Sequence, residues 1–469
     1  MKIFATICFI TICLFSANSQ EISHINSTIK LDGIDDETVW LNQPTHTKFN
    51  QNFPTDSLTA QNQTEVKLLF DDENLFVFAK CYHQPNEKEF VQTLIRDFSI
   101  FENDAFALSF DPFGDGLNGF YFMVNAKGAQ TEAMIGNGTD VATVWDNRWF
   151  SAVKNFETYW TAEFQIPFKS IRYNENEKTW NFNFLRMALN QNERSTWQTI
   201  PINFEPPNLA FGQNLSFSQA LPKQSANISI IPSLTTNISK DFENNQPVKS
   251  KIIPSVDGKI AVTPSLNLDL TINPDFSQAE VDVQQTNLTR FELFFPERRQ
   301  FFIENSDLFE TFGFRQIRPF FSRRIGLSNG SPIPIIGGAR LSGKVNKNWR
   351  IGLMNIQTEG NNNQNIDAQN YTVAAFQRKI FTRSNIAGIL VNRQGFDNSS
   401  MDYSNFNRIA GLDYNIASKD NKFRGKIFYH QSFQPNQPKR AAANASWLMY
   451  NNRNWFVMWN HEYVGENYQ

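Results

Sequence analysis

Leu266, Leu268, Leu270 and Ile272 alternate with Asn267, Asp269 and Thr271, and the same two-residue beat returns further along the chain. Ala410, Leu412, Tyr414 and Ile416 alternate with Gly411, Asp413 and Asn415. Phe423, Gly425, Ile427 and Tyr429 alternate with Arg424, Lys426 and His430, and Trp455, Val457 and Trp459 continue the theme. Successive side chains of a strand point to opposite faces, so each segment has one apolar and one polar face. Polar turns separate the segments: Asn346-Lys347-Asn348, Ser418-Lys419-Asp420-Asn421 and Asn451-Asn452-Arg453-Asn454. Alternating strands of about ten residues, with aromatics near their ends, are the pattern of an outer-membrane-type antiparallel β-barrel, lipid outside and polar side chains inside. A large soluble antiparallel sheet makes the same alternation, and both readings stay open on pattern alone. Beyond the first residues no segment has eighteen consecutive apolar residues, so no spanning helix is expected.

The start of the chain bears on compartment. Residues 1–19 read as a signal peptide: Lys2 supplies the positive start, 3–15 is mostly apolar, and Ala17-Asn18-Ser19 offers small residues for cleavage. The expected localisation is export across the inner membrane to the outer membrane of a Gram-negative bacterium. Beyond this leader Cys81 is the remaining cysteine, too few for an internal disulfide, and it is expected to pack as a small apolar residue. The formal net charge is −3, with no basic block, which leaves nucleic acid binding without an electrostatic footprint. Aromatics make up 14% of the chain, with 45 Phe, an excess that suits sugar stacking or a membrane-embedded barrel.

Residues 20–220 carry shorter strands. The runs 66–70 and 75–79 flank the polar turn Asp71-Asp72-Glu73-Asn74, a hairpin signal. Further strands are expected at 105–110, 120–125, 160–166 and 180–187, spaced as in an antiparallel sandwich, and no βαβ alternation is visible. The motif Leu31-Asp32-Gly33-Ile34-Asp35-Asp36-Glu37-Thr38-Val39-Trp40 resembles the opening of the family 9 carbohydrate-binding modules. The hairpin Phe70-Asp71-Asp72-Glu73-Asn74-Leu75-Phe76-Val77 is similar to theirs, as are Asn103-Asp104 leading to Phe110-Asp111-Pro112, Asn125-Ala126-Lys127-Gly128, and Trp160-Thr161-Ala162-Glu163 with Ile166-Pro167-Phe168. The resemblance implies a jelly-roll-like sandwich that binds a polysaccharide or oligosaccharide, in some members with a structural calcium. Trp40 and Trp160 lie in framework motifs and are expected in the core.

Sugar binding needs flat rings for C–H faces and polar partners for hydroxyls. The aromatic candidates are Trp145, Trp149 and Tyr121; Arg96 and Asp104 are polar candidates, with Asp97 beside them. Trp145-Asp146-Asn147-Arg148-Trp149 is the best single cluster, and its alternative is a place in the core, where tryptophans are mostly found. Asp111, Asp115 and Asn118 surround a Gly-rich turn and offer oxygen ligands for Ca2+, although a plain Asp/Gly turn explains the same residues.

Residues 221–469 are expected to form the barrel region. Within it, 273–326 is irregular and rich in Phe and Arg, with the pairs Phe294-Phe295, Phe301-Phe302 and Phe320-Phe321. Exposing so many phenylalanines forfeits roughly 1.5–3 kcal/mol each, so the stretch is expected to pack inside or over the barrel mouth, its arginines facing the polar interior. Glu292, Glu297 and Glu304 are expected to pair with arginines such as Arg298 and Arg299. Asn273-Pro274-Asp275-Phe276, the stretch from Thr289-Arg290-Phe291-Glu292 to Phe302, Phe321-Ser322-Arg323-Arg324-Ile325-Gly326 and Ile335-Ile336-Gly337-Gly338-Ala339-Arg340-Leu341-Ser342-Gly343-Lys344 resemble a bacterial family of unknown function, DUF5916. That family joins a family 9-like sugar-binding domain to an outer-membrane barrel, and the strands countable here are too few to close a wide one.

No catalytic motif emerges. Gly326-Leu327-Ser328-Asn329-Gly330 has nucleophile-elbow spacing, but Ser331-Pro332-Ile333-Pro334 follows where a helix must start. The five histidines show no zincin spacing. The all-β chain is thus expected to bind carbohydrate through its sandwich and to lie in outer-membrane lipid. A glycoside hydrolase with unidentified carboxylates and a transport pore gated by the sandwich are the alternatives.

Overall fold

The structure, a computed structural model, describes residues 21–469 except 176, 224–227, 241, 243–246, 275–296, 298, 315–316, 329–330, 361–365, 398–399 and 437–438. The expected signal peptide lies outside the described residues, as do Glu292, Phe294, Phe295, Arg298 and Arg315 of the Phe/Arg-rich stretch. Among the described residues the fold is all-β, with two large sheets that follow one another along the chain. No helix is long and apolar enough to cross a membrane, which says nothing of strands.

The first sheet folds over itself into a sandwich. One layer is built on Ala105–Asp111, Gly119–Asn125 and Thr179–Ala188, the other on Thr64–Phe70, Asn74–Tyr82 and Tyr159–Pro167. The short strand Glu21–His24 joins them, pairing in parallel with Gln213–Phe217 on one side and Thr64–Phe70 on the other. Alternate residues of both layers meet in one core: Phe106, Leu108 and Phe110 from one, Val77, Ala79 and Phe164 from the other. Trp40, Trp160 and Cys81 are buried, as their sequence positions imply. One loop motif, Asp32-Gly33, is clamped by two side chains of the strand Tyr159–Pro167. Glu163 Oε2 accepts the Asp32 and Gly33 amides at 3.1 and 2.9 Å, while Thr161 Oγ1 donates to the Gly33 carbonyl at 2.6 Å.

The second sheet has eleven antiparallel strands among the described residues, from Ile228–Ser239 at one edge to Phe456–Val464 at the other. Among the described residues the sheet is open, since these two edge strands do not pair with each other, and it does not close into the expected barrel. Its polarity is the reverse of the sandwich's. Leu353, Leu390, Leu412, Ile427 and Tyr429 stand out from one face, 45–60% exposed. They form a continuous band, with Leu412 opposite Tyr429 and Leu390 opposite Ala374 and Ala410. The other face buries Asp269, Arg340, Arg350, Asp413 and His430.

The described part of the Phe/Arg-rich stretch covers this inner face. Phe301, Phe302, Leu308, Phe309 and Phe320 pack on Met354, Ile356, Val373 and Ile389. Its charges are paired inside: Arg299 with Glu297 at 2.7 Å, Asp307 with Arg350 at 2.6 Å, and Glu304 with Lys259. Arg340 and Asp269 pair beside it at 2.8 Å. Ser328 lies in a small hairpin, Leu327–Ser328 with Ser331–Pro332, so it occupies no strand-to-helix elbow.

The sandwich sits at one end of this sheet. Lys344 pairs with Asp115, Lys379 donates to the Asp115 carbonyl at 2.7 Å, and Arg383 donates to the Gly116 carbonyl at 3.2 Å. Asn451 Nδ2 donates to the Asn203 carbonyl at 3.0 Å. The connections at this end are short: 264–265, 345–348, 381–383, 418–422 and 452–455. At the far end they are longer, 240–248, 273–334, 359–367 and 434–441, with 398–399 the exception.

Candidate functional site

The tryptophan cluster belongs to the core. Trp145 and Trp149 are 6% and 4% exposed. Trp149 stacks on Phe164 with ring centroids 5.5 Å apart and meets Phe122 edge-on at 5.2 Å, bridging the two layers. Its Nε1 donates to Glu132 Oε2 at 3.0 Å. Trp145 tilts against Phe120 at 5.2 Å. Tyr121 is buried on the other side of its sheet, its hydroxyl 3.3 Å from Met123 Sδ. All three rings are largely buried, and Trp145 alone of them borders hollows among those lined by described residues.

The polar candidates are likewise committed. Arg96 pairs with Glu132 and, at 3.2 Å, with Asp146, so it braces the carboxylate that holds Trp149. Asp104 is buried and accepts the Phe90 and Leu189 amides at 2.8 and 2.6 Å. Arg96 and Trp149 thus meet at Glu132, while Tyr121 packs in a separate cluster.

The Asp/Gly turn is closed upon itself. Asp111 accepts the Phe113, Gly114 and Gly116 amides at 2.7–2.9 Å. Asp115 accepts the Leu117 and Asn118 amides and the Asn118 Nδ2 at 2.7–2.8 Å. Lys344 supplies the cation beside Asp115. Burial pushes Asp111 up, and the neighbouring Asp115 charge adds to it. For Asp115 burial is outweighed by the Lys344 ammonium and its hydrogen bonds, which hold the carboxyl down to about 2. The turn therefore uses its oxygens on its own amides and on a lysine. Among the described residues no group of three His, Cys, Asp or Glu side chains is placed to hold a metal ion.

A hollow of about 380 Å3 lies on the same sandwich, lined by Asn74, Arg148, Phe150, Gln165 and Tyr173 among others. Phe150 is 37% exposed at the start of the strand Phe150–Asn155, directly across from Gln165. The Arg148 guanidinium lies over its ring, 5.0 Å from the centroid. Asn74 is held by the hairpin turn, where Asp71 Oδ1 accepts the Asn74 amide at 2.6 Å. The arrangement is one accessible ring bordered by amides and cations, a combination able to meet a sugar ring and its hydroxyls. Sequence reasoning passed over Phe150, although it directly follows the chosen cluster; the strand's outward side carries it, while Trp149 one position earlier turns inward.

Comparison with the curated proteins finds no match. Among solved structures, a family 9 carbohydrate-binding module from Caldicellulosiruptor kristjanssonii in complex with cellotriose is 15% identical, covering 44% of this chain and 94% of its own, with a TM-score of 0.30. A family 9 module from the same organism in complex with glucose is 16% identical, covering 42% of this chain and 95% of its own, also at 0.30. Residues 225–469 match the family described as domain of unknown function DUF5916, and the chain belongs to that family.

Proposed function

We propose that this chain is an outer-membrane protein whose sandwich binds carbohydrate on the periplasmic side. The observation that carries the reading is the inverted polarity of the eleven-stranded sheet, with Leu353, Leu390 and Leu412 outside and Arg340, Asp269 and Asp413 inside. In water such an outer band is a liability; in lipid it is the stable arrangement. Periplasmic turns of membrane barrels are short and outer loops long, and the sandwich sits at the short-turn end. Support for carbohydrate binding comes from the motifs around Asp32-Gly33, Asp71–Asn74 and Trp160–Glu163, and from the Phe150 hollow.

The test is a glycan-array screen of the whole chain in detergent, beside Phe150→Ala. A defined glycan bound by the parent and bound about tenfold more weakly by the variant is the expected result, since stacking is worth ~1–2 kcal/mol. No glycan bound, or equal affinity in the variant, overturns the assignment. Labelling of intact cells checks orientation: a cysteine replacing Glu359 in the long-loop end is expected to react with an impermeant maleimide, and one replacing Asp72 in the sandwich is not.

A further inference from the structure

A cavity of about 300 Å3 opens where the sandwich meets the rim of the second sheet. Its sandwich wall is the turn holding Asn137 and Asp140, and its sheet wall carries Arg383, Arg424, Lys426 and Trp447. Glu310 and Arg318 reach it from the segment packed between. Arg383 is 3% exposed. Its Nε donates to the Gly116 carbonyl and its Nη1 to Asn421 Oδ1 at 2.9 Å, while Nη2 has no acceptor. Arg424 donates to Thr139 Oγ1 at 3.0 Å. Among the described residues neither guanidinium has a carboxylate at ion-pair distance.

Two guanidinium groups are thus brought together at a buried junction with no carboxylate at ion-pair distance among the described residues; the Asp111 and Asp115 charges act on Arg383 only from further off. Burial and the Arg424 charge together hold Arg383 down to about 10, low for a guanidinium. Of the other charges on the cavity, Lys426 is met by Asp413 at 3.4 Å, and the exposed Asp140 bonds to Asn137 and Thr139. Burial pushes Glu310 up to about 7, so near neutrality it offers only part of a negative charge.

We propose that Arg383 and Arg424 bind an oxyanion in this cavity, carried by an acidic monosaccharide unit. Arginine forks match carboxylate, sulfate and phosphate oxygens in pairs of hydrogen bonds. The sugar part follows from the rest of the lining. Trp447, stacked on Phe314 at 5.9 Å, brings an aromatic edge to the wall, and Asn137, Asn385 and Asn415 bring amides for hydroxyls. The volume suits one ring rather than a chain. This cavity shares no residue with the Phe150 hollow, so the two assignments fail independently.

The test uses the whole chain in detergent, titrated with glucuronate, sulfate, phosphate and, as a neutral control, glucose. Calorimetric affinity and the thermal midpoint are read together. Glucuronate is expected to bind and raise the midpoint, and glucose to do neither. Arg424→Gln is expected to weaken glucuronate by about tenfold or more and to raise the anion-free midpoint, because it removes half of a repelling pair. Asn385→Asp keeps the acceptor used by Asn415 Nδ2 and places a charge on the wall, so it is expected to raise the midpoint and abolish the response to anions. Lys347→Ala, at an exposed ion pair away from the cavity lining, is expected to leave the response unchanged. If no oxyanion binds, or if both cavity variants bind as tightly as the parent, the site is wrong. Binding of sulfate and phosphate without glucuronate keeps the arginine site and overturns the sugar.

Discussion

The sandwich and the open sheet are written in the same alternating code and read it in opposite senses. In the sandwich Phe106, Leu108 and Phe110 point inward and meet Val77 and Phe164. In the sheet Leu412 and Tyr429 point outward, while Asp413 and His430, their sequence neighbours, are buried and bonded to each other at 2.8 Å. Alternation decides which residues share a face and leaves open which face is the interior. That is settled by what covers each face. The sandwich layers cover one another, whereas among the described residues the sheet's polar face is covered by part of the Phe/Arg-rich stretch and its apolar face is left uncovered.

The contrast can be broken at either end. The largest effect is expected from Trp180→Ala, since Trp180 is buried and stacks on Phe110 at 5.4 Å; denaturant titration should show a loss of ~3–5 kcal/mol. A comparable loss, again ~3–5 kcal/mol, is expected in the sheet from Asp269→Ala, which strands Arg340 in a covered interior. A loss near zero there would mean that water reaches the inner face. Leu412→Lys separates the two solvents for the outer face: folding into lipid vesicles should weaken by ~2–4 kcal/mol near the midplane, against ~0.5 kcal/mol or less for an exposed site in water.

A smaller effect tests the sandwich by pH. Burial raises Glu163 to about 7 against its Gly33 and Asp32 amides. The unfolded chain ionises this group first, so its contribution to stability is present at low pH and declines as pH rises from about 4.5 to about 7. Glu163→Gln should remove that decline, at most ~3 kcal/mol in denaturant titrations at about 1.4 kcal/mol per pKa unit, since Glu163 is fully buried. The smallest change is expected for Lys347→Ala, whose pair with Glu177 at 3.3 Å is exposed: ~0.5 kcal/mol or less by the same titration.

Local signals were legible where a local cause exists. The hairpin of Thr64–Phe70 and Asn74–Tyr82 shows in sequence because Asp71 takes the Glu73 and Asn74 amides within a single turn. The polar side of 266–272 shows because every second residue is Asn, Asp or Thr. The motifs around Asp32-Gly33 and Trp160–Glu163 were visible separately, and their joining through Glu163 was not. The burial of the candidate rings and carboxylates was hidden for the same reason. Nothing near Trp149 announces Phe164 as its stacking partner, and nothing near Asp115 announces a lysine 229 residues away. Long-range partners decide whether a ring or a carboxylate is free, and they are absent from any window of sequence.

The strand Glu21–His24 has a consequence in time. It lies between Thr64–Phe70 and Gln213–Phe217, so the earliest described strand waits for the last strand of its own unit before both its edges are paired. A chain delivered from its first residue onward carries that open edge through the whole synthesis and export of the sandwich. Gln213–Phe217 closes it, and the next strand, Ile228–Ser239, already belongs to the second sheet. The sealing of the first unit and the start of the second are therefore neighbouring moments in the life of the molecule.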